Sequence, residues 1–173
     1  MTFIRSSGEI ETQIEGLYAE QDQLLNEADA STVIEIPAEN CYPGDEHLLH
    51  GVTVTVVFPC LNEELAVGLC VERALETMHT AGLDGSVLVV DNGSTDNSAR
   101  VAMDAGAQVI LQKEPGYGAA LRSGIEAAQS EFVIMADADG TYELDAIPRL
   151  LLPLLYGEAD MVLGQRLNDA TTA

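Results

Sequence analysis

Tryptophan is absent from this 173-residue chain, aromatic residues make up only 5% of it, and 7 basic residues face 29 acidic ones. With a net charge of −22 and Lys113 as the sole lysine, the surface is a poor match for duplex nucleic acid or anionic membrane. Cysteine is scarce as well. Cys41, Cys60 and Cys70 form no C-x-x-C pair and are odd in number, which argues against a disulfide framework or a zinc knuckle and for a reducing cytoplasm. No apolar run reaches the roughly 18 residues of a membrane span. The start, Met1-Thr2-Phe3-Ile4-Arg5-Ser6-Ser7, lacks the apolar stretch of a secretory signal. What remains is 47% hydrophobic sequence, enough for one α/β domain with an attached segment.

The acidity has two readings, an acidic partner-binding face or a generally acidic surface of the kind halophilic proteins use for solubility. The even spread of acid along the chain and the near-absence of lysine favour the halophilic reading. In molar salt the Debye length falls to about 3 Å, so such a surface would not repel an anionic substrate at long range.

Residues 1–50 read as an acidic extension. Ile10, Ile14, Leu17, Tyr18, Leu24 and Leu25 recur at near-helical spacing, predicting an amphipathic helix over 9–28 that packs on the domain or on a second copy in a homo-oligomer. Pro37, Pro43 and Gly44 punctuate a linker over 30–50. Residues 51–173 then alternate short β-branched runs with helical patterns, the signature of βαβ units and a parallel sheet flanked by helices. Strands are expected at 52–58, 87–90, 107–111, 132–136 and 160–163. Helices are expected at 62–81 with Asn62 as N-cap, at 94–105, at 117–129, and at 144–156 interrupted by Pro148 and Pro153.

Ligands of open parallel sheets bind beyond the carboxyl ends of the strands, so the residues that follow each apolar run carry the information. These are Pro59-Cys60-Leu61-Asn62-Glu63-Glu64, Asp91-Asn92-Gly93-Ser94-Thr95-Asp96 and Asp137-Ala138-Asp139-Gly140-Thr141. The second by itself is what any turn and helix cap would use. Glu63 and Glu64 by themselves could merely complement a helix dipole. Asp137 and Asp139 differ, because two carboxylates one residue apart at the end of a buried strand repel each other unless a cation or proton intervenes. Hard oxygen ligands of this kind suit Mg²⁺ or Mn²⁺, with water and substrate phosphates completing the shell.

Taken in order, Phe58-Pro59-Cys60-Leu61-Asn62-Glu63, Val90-Asp91-Asn92-Gly93-Ser94-Thr95-Asp96, Gly116-Tyr117-Gly118-Ala119-Ala120-Leu121-Arg122-Ser123-Gly124 and Asp137-Ala138-Asp139-Gly140 resemble the family 2 glycosyltransferases of GT-A fold. The branch most resembled is that of the dolichyl-phosphate mannosyl- and glucosyltransferases, over residues 52–166. The resemblance implies a Rossmann-like nucleotide-sugar-binding domain in which Pro59, Leu61 and Glu63 line the nucleoside pocket and Asp91 bonds the base or ribose. It further implies that Asp137 sits near ribose and metal, that Asp139 is the principal metal ligand beside the diphosphate with Ala138 between them, and that Arg122 has a polar role near the donor. Lys113 is the other scarce cation near this edge. Cys60-Leu61 stands where many relatives have Thr-Tyr, Asn92 replaces a frequent Asp, and Thr141 stands where mannosyltransferases often have Gln, which leaves the sugar open.

The implied reaction is inverting transfer from a UDP- or GDP-sugar to an acceptor such as a polyprenyl or dolichyl phosphate. An acceptor-binding half, often with membrane helices in relatives, is expected beyond this chain, which then supplies donor binding. No catalytic base can be assigned; a phosphate acceptor, already anionic, needs none. The other readings are a non-catalytic nucleotide-sugar-binding module or inactive fragment, and a Rossmann dehydrogenase or nucleotidyltransferase. The last two are disfavoured because no glycine-rich phosphate loop follows the first strand.

Overall fold

The computed structural model describes residues 1–5 and 46–164; the expected helix at 9–28 and most of the linker lie outside them. Six strands form one sheet: β1 (Thr2–Arg5), β2 (Thr53–Cys60), β3 (Asp84–Asp91), β4 (Gln108–Leu111), β5 (Phe132–Met135) and β6 (Met161–Leu163). Among the described residues four α-helices connect them: α1 (Val67–Thr80), α2 (Ser98–Asp104), α3 (Tyr117–Ala127) and α4 (Ile147–Leu155). The strand order is β4-β3-β2-β5-β1-β6. Strands β2 to β5 are parallel, with Cys60 opposite Asp91, Asp91 opposite Leu111 and Val57 opposite Met135. Their carboxyl ends therefore share one edge.

The expected parallel sheet flanked by helices is present, with one antiparallel strand added to it. β1 runs antiparallel between β5 and β6, pairing Phe3 with Ile134 on one side and with Val162 on the other. Four residues are too few to display a period, so the pairing of β1 is decided by neighbours more than 100 positions away. Phe3 is fully buried and Ile4 nearly so.

Alternation along β2 divides the core. Val54, Val56 and Phe58 point into a large apolar cluster shared with Val71, Ala74 and Met78 of α1 and Leu151 of α4. Val57 joins Val90, Leu121, Ile125 and Val133 on the opposite face, beneath α3. Each such fully buried aliphatic side chain contributes about 1.5–3 kcal/mol. Gly124 sets the approach of α3, because a Cβ there would overlap Val57 Cγ1.

Helix boundaries depart from expectation in informative places. Helix α1 begins at Val67, and Asn62, expected as its N-cap, lies outside it with φ of 59°. Pro148 does not interrupt a helix but occupies the first turn of α4, where its missing N–H costs nothing; the interior proline is Pro153. Part of the expected linker is ordered against the domain as a 3₁₀ turn, Glu46–Leu49, whose Leu49 is buried. Among the described residues no helix is long and apolar enough to cross a membrane.

Candidate functional site

The turns after β2, β3, β4 and β5 line the shared carboxyl edge, and side chains tie each to the next. Asn62 Oδ1 accepts from the Thr95 amide at 2.8 Å and from its hydroxyl at 3.2 Å. In return Ser94 Oγ accepts from the Asn62 amide at 2.9 Å. Glu64 Oε2 accepts from the Asn97 amide and side chain, while Asp96 Oδ2 accepts from the Glu64 amide. Ser98, fully buried, accepts from the Glu63 amide at 2.8 Å and donates to Asp96 Oδ1. These reciprocal bonds explain why residues 62–66 stay out of the helix: their polar groups are engaged by a turn more than 30 positions away.

Asp91, at the end of β3, is 6% exposed, and its Oδ1 accepts from the Ser94 amide at 3.0 Å. Asn92 reaches the other way. Its side-chain amide donates to the carbonyls of Gln112 and Glu114, and its Oδ1 accepts from the Gly116 amide at 2.7 Å. This clamp holds the turn between β4 and α3, where Gly116 takes φ of 133°, a left-handed value suited to glycine.

The D-x-D turn follows β5. Asp137 is half-buried, Ala138 buried and Asp139 exposed. Asp139 Oδ1 accepts from the amide and hydroxyl of Thr141, an Asx-type turn closed by Gly140 at φ of 80°. Asp137 Oδ1 accepts from the Tyr117 hydroxyl at 2.8 Å, a contact from the first residue of α3. Behind the turn, the Cys70 thiol of α1 donates to the Ala138 carbonyl at 3.5 Å. Burial pushes the thiols of both Cys70 and Cys60 up, so neither supplies a thiolate nucleophile at neutral pH.

The remaining expected site residues fall as follows. Pro59 is buried within β2, Glu63 is half-buried, and Leu61 is 54% exposed at the edge. Arg122 and Lys113 are exposed, and no hydrogen bond or ion pair engages the Arg122 side chain among the described residues. Tyr117, Asn92 and Cys70 acquire roles that composition did not signal. Tyr117 and Asn92 are marked in the sequence only by lying in quoted motifs, and Cys70, within α1, lies in none.

A divalent cation fits the donor set. Among the described residues no three His, Cys, Asp or Glu side chains converge as a closed metal cage. Two adjacent hard carboxylates at an open edge match the way Mg²⁺ and Mn²⁺ are held in phosphate sites, by one or two protein carboxylates with phosphate oxygens and water.

Residues 55–171 match the family described as "Glycosyl transferase family 2". An uncharacterized glycosyltransferase of Mycobacterium tuberculosis is 44% identical over 116 residues, covering 67% of this chain and 50% of the relative. The low-salt glycan biosynthesis hexosyltransferase Agl6 of Haloferax volcanii is 37% identical over 132 residues, covering 73% and 32%. Among solved structures, glucosyl-3-phosphoglycerate synthase of M. tuberculosis in complex with Mn²⁺, UDP-glucose and phosphoglyceric acid superposes with a TM-score of 0.56. It is 27% identical, over 72% of this chain and 46% of that one. The same enzyme in complex with Mg²⁺ and UDP gives 0.58 at 28% identity, over 72% and 47%. This chain spans about half the length of the M. tuberculosis relative. With more than half of its residues matched by the family and its sheet edge built as described, the chain belongs to glycosyl transferase family 2.

Proposed function

We propose that this chain binds the donor of an inverting glycosyltransferase, holding a UDP- or GDP-sugar at the carboxyl edge of β2, β3 and β5 with Mg²⁺ or Mn²⁺ at Asp137 and Asp139. The observation that carries the reading is the position of the D-x-D turn, beside the linked 61–64 and 91–98 turns on one edge. The complexes of glucosyl-3-phosphoglycerate synthase with UDP-glucose and Mn²⁺ support it by similarity. In this reading Leu61, Glu63 and Asp91 receive the nucleoside, Pro59 shapes the pocket floor from within β2, and Ala138 keeps the two carboxylates in register. Arg122 is the cation assigned to the donor.

The chemistry served is substitution at the anomeric carbon, through an oxocarbenium-like transition state as the nucleoside diphosphate leaves. A divalent cation supplies charge compensation on the departing diphosphate. The acceptor we assign is a phosphate, with polyprenyl phosphate the leading candidate from the motif resemblance; its phosphate oxygen is anionic and needs no protein base to attack. We place the reaction on the cytoplasmic side, where nucleotide sugars and reduced cysteines coexist.

The test is a calorimetric titration with UDP-glucose, GDP-mannose, UDP and GDP, with and without Mn²⁺, in low and molar salt. At least one donor and its free nucleotide are expected to bind, and to bind more tightly with Mn²⁺. Binding of all four that ignores Mn²⁺, or of none under any condition, overturns the reading.

A further inference from the structure

We propose that Tyr117 is a positioning residue for Asp137: its hydroxyl, delivered from the first turn of α3, holds that carboxylate in the orientation in which it meets the donor and its cation. This rests on the proposed function, since it names a determinant of the same site. Asp137 alone is a poor fixed ligand. It is half-buried at the rim of the sheet, with two rotatable side-chain bonds and water on one side. Asp139 has its orientation set locally by Thr141, two residues on. Asp137 has no such local partner among the described residues, and its one side-chain bond comes from Tyr117, 20 positions earlier.

The tyrosine is held well enough to serve. Its neighbour Gly116 is pinned by the Asn92 side chain at 2.7 Å, and Asn92 also fixes the carbonyls of Gln112 and Glu114. Gln112 in turn bonds the Ala119 carbonyl and Ser123 hydroxyl within α3. The Tyr117 hydroxyl thus stands on a turn tied to β3 on one side and to α3 on the other. The phenol O–H donates a hydrogen bond to one carboxylate oxygen, which leaves the other oxygen to a ligand. Orienting a charged ligand before the cation arrives raises affinity by lowering the ordering cost of binding.

The experiment has two arms in the full chain. In the first, without ligand, a double-mutant cycle of Tyr117→Phe and Asp137→Ala reads the bridge through urea unfolding. The two substitutions should be non-additive by about three- to tenfold in the unfolding constant. In the second, Tyr117→Phe should weaken Mn²⁺-dependent UDP binding by about three- to tenfold while metal-free UDP binding stays at the wild-type value. A purely structural tyrosine would not separate those two affinities. Additivity in the first arm overturns the bridge whatever the second gives. Unchanged or tighter Mn²⁺-linked binding in Tyr117→Phe overturns the positioning role. If the wild type shows no Mn²⁺-linked affinity, the proposed function falls and this role falls with it, even where the bridge itself is measured.

Discussion

Two acidic stretches of the same edge, 61–64 with 94–98 on one side and 137–141 on the other, draw on similar residues and use them differently. In the first, Asn62, Glu64, Asp96 and Ser98 turn their polar atoms onto the amides of the opposing turn. In the second, Asp137 accepts from a hydroxyl across the edge and Asp139 from its own turn. Acid that satisfies the backbone amides of another turn is architecture. Acid placed at the rim of the sheet edge carries charge that a ligand can use. The contrast explains how an overall charge of −22 is compatible with the proposed site for an anionic donor.

The largest expected effect breaks the second stretch alone. Asp139→Asn keeps an Oδ1 that can accept from Thr141 but removes the charge that attracts a cation, so Mn²⁺-dependent UDP binding should fall by about tenfold or more. The melting temperature should stay near that of the wild type. Unchanged Mn²⁺ dependence would remove Asp139 from its assigned role and erase the contrast between the two stretches.

A smaller, opposite effect is expected in the first stretch. Ser98→Ala deletes the fully buried hydroxyl that accepts from the Glu63 amide and donates to Asp96, leaving that amide unsatisfied at a cost of about 1–3 kcal/mol. Urea denaturation should show the loss. The ratio of UDP affinities with and without Mn²⁺ should survive, because Asp137 and Asp139 are oriented by Tyr117 and Thr141 and not through Ser98. If Ser98→Ala abolished the Mn²⁺ dependence instead, both stretches would have to be assigned to the metal.

The sequence made this edge legible to an uneven degree, for physical reasons. The run from Val52 to Phe58 declares a strand buried on both faces, and carboxylates directly after such strands mark the ligand edge, so β2, β3, β5 and the D-x-D turn could be read in advance. Strand β1 could not, since four residues between β5 and β6 owe their conformation to long-range pairing. The start of α1 was misread because Asn62, Glu63 and Glu64 have the composition of a helical first turn, and only the position of Ser94 to Ser98 reveals that their groups are committed elsewhere. The Tyr117–Asp137 contact was hidden for the same reason: it joins two motifs whose separation along the chain says nothing of their distance.

The subtlest expected difference between the stretches is in acid. The Ser98 hydroxyl, aided by the backbone amides of Ser98 and Glu64, holds the Asp96 carboxyl below the usual aspartate range, against a smaller upward push from desolvation. In the unfolded chain the same group titrates near pH 4. A carboxyl whose folded pKa is depressed stabilises the fold fully above its unfolded value and loses that contribution as pH falls through the folded one. Asp145, held low chiefly by Arg73, shifts in the same direction, so wild type alone cannot isolate Asp96. Asp96→Asn can: it should be less stable than wild type at neutral pH, and the gap between their urea midpoints should close as pH falls below about 4. A gap that stays constant down to about pH 3 would mean that the charge on Asp96 is not what joins the two turns, and that its neutral hydrogen bonds suffice.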